Sequence, residues 1–315
     1  MTPTNGQEAR FFDEAFLRKL ERLALLSRQA LAGKMQGERR SPKRGQSVEF
    51  ADFRPYTLGD DFRRIDWNAY ARLERFFIKL FVEEQDLTIH LLVDASRSMA
   101  WGQPQKLDYA LRAAAALGYV GLAGLDRVTA TALGGANGRA GSGRARTSPA
   151  RRGKQQALPL FDFLAQLAQP NDPVQPEPGA APPDAAAHLR TYAASAPFPG
   201  PLVLFSDLLS DGWQSPLSQL AGRGFEITLV HLLSPQEVDP QLNGDFKLLD
   251  SETGAEVEIT ADYELLARYK RGLEAWRAGW RDFCRPRGMH YVPLETSVPL
   301  EDLLFAALRR SGVLR

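Results

Sequence analysis

The sequence predicts an α/β fold built on a parallel sheet with helices on both faces. Two observations carry this. Short apolar runs without alternation, such as LTIHLLVD, PLVLFSD and FEITLVHLL, read as strands buried on both sides. Stretches of helical length lie between them, and apolar strands alternating with helices make a parallel sheet. The chain has 315 residues, enough for one large or two small domains. Its 44% hydrophobic and 24% charged content is that of a folded chain. A net charge of +1 gives no global field that would favour nucleic acid.

The elements follow in order. Residues 11–32 place Phe12, Phe16, Leu20, Leu23, Leu26 and Leu31 at helical spacing, with Gly33 as the stop. A basic, turn-rich link occupies 37–46. Residues 49–81 mix aromatics with paired charges and read as short strands with turns at Pro55 and Gly59. Leu87–Asp94 is the first fully buried strand, and 106–125 is an Ala-rich helix. Gly118, Gly121 and Gly124 recur in it every third residue, a flat strip suited to close packing on a sheet. Further strands are read at 127–133, 201–207 and 225–233, and a hairpin at 246–259 around Thr253-Gly254. A helix starts near Gln155. A long helix spans 261–288, with Trp276 and Trp280 on its core face. The last strand is 289–294 and the last helix 299–310. Two stretches read as loops outside the core: Gly-rich, basic 134–156 and Pro-rich 170–184. The expected organisation is 1–46, an N-terminal helix and basic linker; 47–86, a charged and aromatic segment; and 87–315, the α/β domain.

Chemistry concentrates where the first buried strand ends. Asp94, Ser96 and Ser98 form Asp-x-Ser-x-Ser, which puts one carboxylate and two hydroxyls on a single loop. These are hard oxygen donors of the type that holds Mg²⁺ or Mn²⁺. Ordinary turn chemistry gives the same pattern, with Asp94 accepting from backbone N–H groups of its own loop. Three of the four histidines, His90, His231 and His290, fall inside apparent strands, where core positions outnumber catalytic ones. No HExxH, Walker-type or Gly-x-Ser-x-Gly motif occurs. Arg139, Arg144, Arg146, Arg151, Arg152 and Lys154 make a basic stretch without aromatics to stack on bases, so a solvated loop is expected there. Cys284 is the single cysteine and reads as a buried thiol in the long helix. The lack of a disulfide pair, of a signal-peptide pattern and of any long apolar run leads to the expectation of a cytoplasmic protein without a membrane segment.

Two stretches resemble a known family. LTIHLLVDASRSM resembles the first strand and metal loop of a von Willebrand factor type A domain. RPYTLGDDFRRIDWNAYAR, residues 54–72, is similar to the signature of the bacterial "domain of unknown function 58" family, whose members carry it directly before such a domain. The resemblance runs from about residue 47 to the C-terminus. It implies a doubly wound, mainly parallel sheet of Rossmann type, with a small irregular β extension. It also implies that strand order reverses between the Asp94 strand and the 201–206 strand, bringing Asp94 and Asp207 to one crevice. By similarity, Ser96 and Ser98 would ligate Mg²⁺ or Mn²⁺ directly, and Asp94 and Asp207 would ligate it or hold its waters. The chain departs from the pattern in one respect. The family's further Thr ligand has no counterpart, because no Ser or Thr occurs from Pro149 to Arg190; Asp172 and Asp184 are the candidate substitutes.

In the signature, Arg54, Asp60, Asp61, Arg63, Arg64 and Asp66 stand beside Trp67. They form either a partner-binding surface or an internal network of Arg–Asp pairs. Relatives are commonly encoded beside MoxR-type AAA+ ATPases. The resemblance therefore implies a non-enzymatic adaptor that acts with such an ATPase on a further protein client. The alternative is a metal-dependent hydrolase using Asp94 and Asp207, with Asp60 or Asp61.

Overall fold

The structure, a computed structural model, describes residues 18, 48–57, 65–83, 88–134, 145–168, 185–250 and 254–303. The chain divides into two compact units, one spanning Gly33–Asp86 and the other Leu87–Arg315 with the first 32 residues. The expected N-terminal helix lies outside the described residues apart from Arg18, which is helical.

In the smaller unit, β1 (Val48–Pro55) is followed by helix α1 (Trp67–Leu73) and then β2 (Phe77–Glu83). The two strands pair antiparallel. The helix corrects the reading of this whole segment as strands. Asp66 sets it: its carboxylate accepts from the N–H groups of Asn68 (2.9 Å) and Ala69 (3.2 Å), which satisfies the first turn. Aromatic content pointed to strand, but an N-cap followed by Ala69, Arg72 and Leu73 favours a helical turn.

The larger unit begins with β3 (Thr88–Asp94), then α2 (Lys106–Ala123) and β4 (Arg127–Leu133). Two short strands, β5 (Arg146–Thr147) and β6 (Arg151–Arg152), lead into α3 (Ala157–Ala168). Next come α4 (Ala185–Ser195), β7 (Pro201–Ser206), α5 (Gln214–Gly222) and β8 (Glu226–Leu233). A short helix, α6 (Pro235–Val238), precedes the hairpin of β9 (Gly244–Leu249) and β10 (Glu256–Ala261). The long helix α7 (Tyr263–Cys284) and strand β11 (His290–Glu295) complete it.

The main sheet runs β11-β8-β7-β3-β4-β5, with β6 also on β4. All its pairings are parallel except those of β5 and β6. Part of the basic stretch is therefore sheet edge rather than loop. Ser148 is buried between the two short strands, accepting from Ala130 N–H through Oγ and from Thr129 Oγ1 through its carbonyl. Burial on both faces explains the continuous apolar strands. Leu91 and Val93 of β3 pack with α2 and α3, while Leu92 packs on the other side with α4, α5 and the end of α7. Trp280 is buried and Trp276 packs beside it, so α7 presents the face expected of it; Cys284 is buried there too.

Close packing of α2 on α3 and on the sheet rests on Gly118 and Gly121. A Cβ at Gly118 would lie 2.4 Å from Leu160 Cδ2, and one at Gly121 would lie 2.6 Å from Ile89 Cδ1. Gly124 is beyond the helix and meets only its own turn, so the strip has two members, not three. The contrast between two other glycines gives an expected result. At Gly200 a Cβ would meet the Thr88 backbone oxygen at 2.3 Å, whereas at Gly279, exposed on α7, it meets nothing. Gly200→Ala will destabilise by about 1–3 kcal/mol. Gly279→Ala will stabilise by up to about 1 kcal/mol through helix propensity. Urea melts of the two variants check the opposite signs. Among the described residues, no helix is long and apolar enough to cross a membrane.

Candidate functional site

Strand order reverses between β3 and β7, which lie side by side and parallel in the middle of the sheet. The chain leaves β3 toward β4 on one side and reaches β7 and β8 on the other. Two loops thus splay apart at the C-terminal ends of neighbouring strands, the place where open α/β sheets bind ligands. Asp94 ends β3, Ser206 ends β7 and Asp207 follows it, as the family resemblance implied.

Asp94 is 1% exposed. Its Oδ1 accepts from Ser96 N–H at 3.0 Å and its Oδ2 accepts from Ser206 Oγ at 2.6 Å. Burial, reinforced by the charge of Asp207, pushes this carboxyl well above the usual carboxylate range. Both early readings of Asp94 thus meet here: it stands at the crevice and it also closes its own turn. Ser96 Oγ and Ser98 Oγ are 3.1 Å apart and share a hydrogen bond. Ser206 Oγ in turn accepts from Leu208 N–H at 2.9 Å, a bond made possible by the left-handed backbone of Leu208 (φ 57°).

Sequence reasoning missed the central group, Lys106. It is the first residue of α2 and is fully buried. Its Nζ donates to Asp207 Oδ2 at 2.8 Å and to Glu237 Oε1 at 2.5 Å. A lysine in the first helical turn opposes the helix dipole, which is a readable sign that something anionic waits there. Glu237 was legible as well. Ser234-Pro-Gln-Glu237 is a capping box, and Glu237 Oε2 accepts from Ser234 N–H (2.7 Å) and Oγ (3.0 Å). That box fixes one oxygen of Glu237 and leaves the other for Lys106. The loops carrying the pair are clasped by Gln103 and Gln236, each bonding the other at 3.0–3.1 Å.

This donor set does not fit a divalent cation. Mg²⁺ takes six oxygens in strict octahedral geometry. Of the four expected ligands, both oxygens of Asp94 are engaged, the two serine hydroxyls bond each other, and Asp207 already faces an ammonium. Asp172 and Asp184, the candidate substitutes for the missing Thr, lie outside the described residues. No group of three or more His, Cys, Asp or Glu side chains suited to a metal occurs among the described residues.

The histidines divide. His90 and His231 are buried in β3 and β8, and each Nδ1 is 2.6 Å from a tyrosine hydroxyl, Tyr192 and Tyr291 respectively. Burial pulls both rings down to about 4, so both are neutral core groups near pH 7. His290 is exposed, contrary to the core position read for it, and His188 Nδ1 accepts from Gly134 N–H.

In the smaller unit, Asp66 caps α1. Arg54 is placed on β1, but its side chain is outside the described part. Asp60, Asp61, Arg63 and Arg64 lie outside the described residues. Trp67 is 61% exposed and meets Tyr70 and Phe76 edge-on, while those two rings stack at 4.4 Å.

Known proteins fit this picture at the level of family. Uncharacterized proteins of Mycobacterium bovis and Mycobacterium tuberculosis are 30% identical to this chain over 301 residues, covering 94% of it and 90% of their own length. Among solved structures, it is similar to the conserved hypothetical protein BatB of Bacteroides thetaiotaomicron, at 14% identity and a TM-score of 0.42 over 72% of this chain and 98% of that one. An aerotolerance-related membrane protein of Bacteroides fragilis gives the same TM-score and identity, over 72% of this chain and 99% of the other. A TM-score of 0.42 bears on neither the site nor its role. The family described as "Protein of unknown function DUF58" matches residues 52–278, and the chain belongs to that family.

Proposed function

We propose that this protein is a non-enzymatic interaction module that works with a MoxR-type AAA+ ATPase in protein maturation or remodelling. Its docking surface is the sheet edge where β3 and β7 end. One observation supports this above others. The polar groups of the crevice satisfy one another, while the loops leaving the same two strands expose apolar anchors, Trp101 at 51% and Leu209 at 55%. A catalytic crevice would hold an activated nucleophile or base facing solvent; an interface holds exposed aromatic and aliphatic side chains around a rigid centre. The identity of the ATPase rests on the family resemblance of the signature and the Asp-x-Ser-x-Ser loop. Trp67, exposed in the smaller unit, is a second contact candidate.

The test is affinity for a purified MoxR-type ATPase. Trp101→Ala and Leu209→Ala will each weaken binding about tenfold or more, the range of an interface anchor, with melting unchanged. Full affinity in both variants would remove this edge as the docking site and leave Trp67→Ala as the next variant to bind. Sustained, Mn²⁺-dependent phosphoester turnover lost in Asp94→Ala would replace the adaptor reading by a hydrolase.

A further inference from the structure

We infer that the ammonium of Lys106 is the resident cation of the crevice, so that this edge is built and held without a divalent ion. The proposal goes beyond the docking reading, since it concerns how the edge is held, whoever binds there.

The argument starts from charge. Asp94, Asp207 and Glu237 converge on one end of the sheet, and Asp94 and Asp207 are each almost fully buried. Buried carboxylates need a cation or protons, because desolvation of an uncompensated charge is prohibitive. In a metal-ion site the ion meets that need. Here Lys106 Nζ donates to both Asp207 and Glu237, and its 2.8 Å contact with Asp207 lies in the range for a charge-assisted bond. A second cation on Asp207 would be repelled by a unit charge already in contact with that carboxylate.

Tethering is the second part. Lys106 enters from the first turn of α2, and its backbone N–H is bonded to Trp101 O at 3.3 Å. Glu237 is fixed by its capping box, and the Gln103–Gln236 clasp joins the two loops. Gly102 (φ 98°) comes so close to Ser234 that a Cβ would lie 2.4 Å from the Ser234 Cβ. The cation therefore cannot leave with solvent, and the ion's place is filled by covalent chain.

The consequence for binding is specific. A metal-dependent edge offers an open coordination position to a carboxylate of the partner. This edge offers none, and Lys106 is itself 0% exposed. Recognition then falls to the serine hydroxyls and the apolar flanks, and it is indifferent to chelators.

The experiment uses the full chain, stripped with chelator. Mg²⁺ and Mn²⁺ are titrated by calorimetry, and Mn²⁺ also by electron paramagnetic resonance, with melting recorded in either metal and in EDTA. The wild type is expected to give no saturable binding and a melting temperature that neither metal nor EDTA moves. Saturable Mn²⁺ or Mg²⁺ binding to the wild type that is lost in Ser98→Ala overturns the proposal. Lys106→Ala supplies the converse. With the ammonium gone, Asp207 and Glu237 are expected to take up Mn²⁺, and the metal is expected to raise the melting temperature of this variant only. A folded Lys106→Ala that binds no more Mn²⁺ than wild type overturns the assignment of the ion's place to the ammonium. If that variant does not fold, the wild-type titration decides by itself.

Discussion

Lys106→Met will lower the unfolding free energy by about 3–5 kcal/mol, the cost of breaking a buried ion pair from one side. The side chain of Asp207 is 2% exposed and that of Glu237 is 16% exposed, so neither carboxylate can recover enough water to compensate. The loss comes from the stranded charges, not from the lost attraction, and this makes it separable. In Lys106→Met/Asp207→Asn the more deeply buried charge is removed together with its partner. That double variant will be more stable than Lys106→Met alone, which is strong non-additivity in a double-mutant cycle. Denaturant melts of the four proteins measure it. A loss below about 1 kcal/mol in Lys106→Met, or simple additivity, would mean that the crevice is wetter than its burial implies.

The second large effect is a response to acid. His90 and His231 hold pKa values of about 4, against 6.5 for a free imidazole, chiefly because burial disfavours the charged ring; Arg277 adds to this at His231. Between pH 6.5 and 4 the unfolded chain takes up a proton at each position and the folded chain does not. Stability contributed by each neutral ring is thus full above 6.5 and falls as pH drops through that window, by about 3 kcal/mol per histidine at pH 4. Asp94 works in the opposite direction. Its raised pKa makes the folded state gain stability as pH falls, so the whole-protein curve mixes the two trends. A difference between variants isolates the histidine. His90→Gln, whose side chain can still bond the Tyr192 hydroxyl, will gain about 3 kcal/mol relative to wild type between neutral pH and pH 4. A constant gap across that range would show that His90 is protonated inside the fold.

Much of the fold was legible because its signals are local. Apolar runs without alternation marked β3, β7 and β8, and their ends agree with the structure to within a residue. The Asp94–Asp207 convergence was implied by the family resemblance rather than by local pattern, and β3 and β7 are indeed neighbours. The helix at Trp67 was obscured because aromatic residues and paired charges resemble a strand, while its start depends on one side chain, Asp66. Lys106 was obscured for a different reason. Its partners lie 101 and 131 positions away, and its place in the first helical turn hints at an anionic partner without naming it. Spacing reveals polar groups that share a loop, as Asp94, Ser96 and Ser98 do. It does not reveal a group whose partners arrive on distant loops and helices.

The placement of β3 has a consequence for the order of assembly. One edge of this strand is closed by β4, made soon after it, but the other edge waits for β7, and the Asp94–Ser206 bond spans 112 positions. During synthesis, β3, α2 and β4 can collapse as a unit while the β7 side of β3 still lacks its neighbour. In that interval Lys106 has neither Asp207 nor Glu237, and Asp94 lacks its hydroxyl donor. The long delay before this pairing is the kind of non-local closure that slows folding. The crevice is thus a late product of the chain, and its polar centre forms only when the sheet closes.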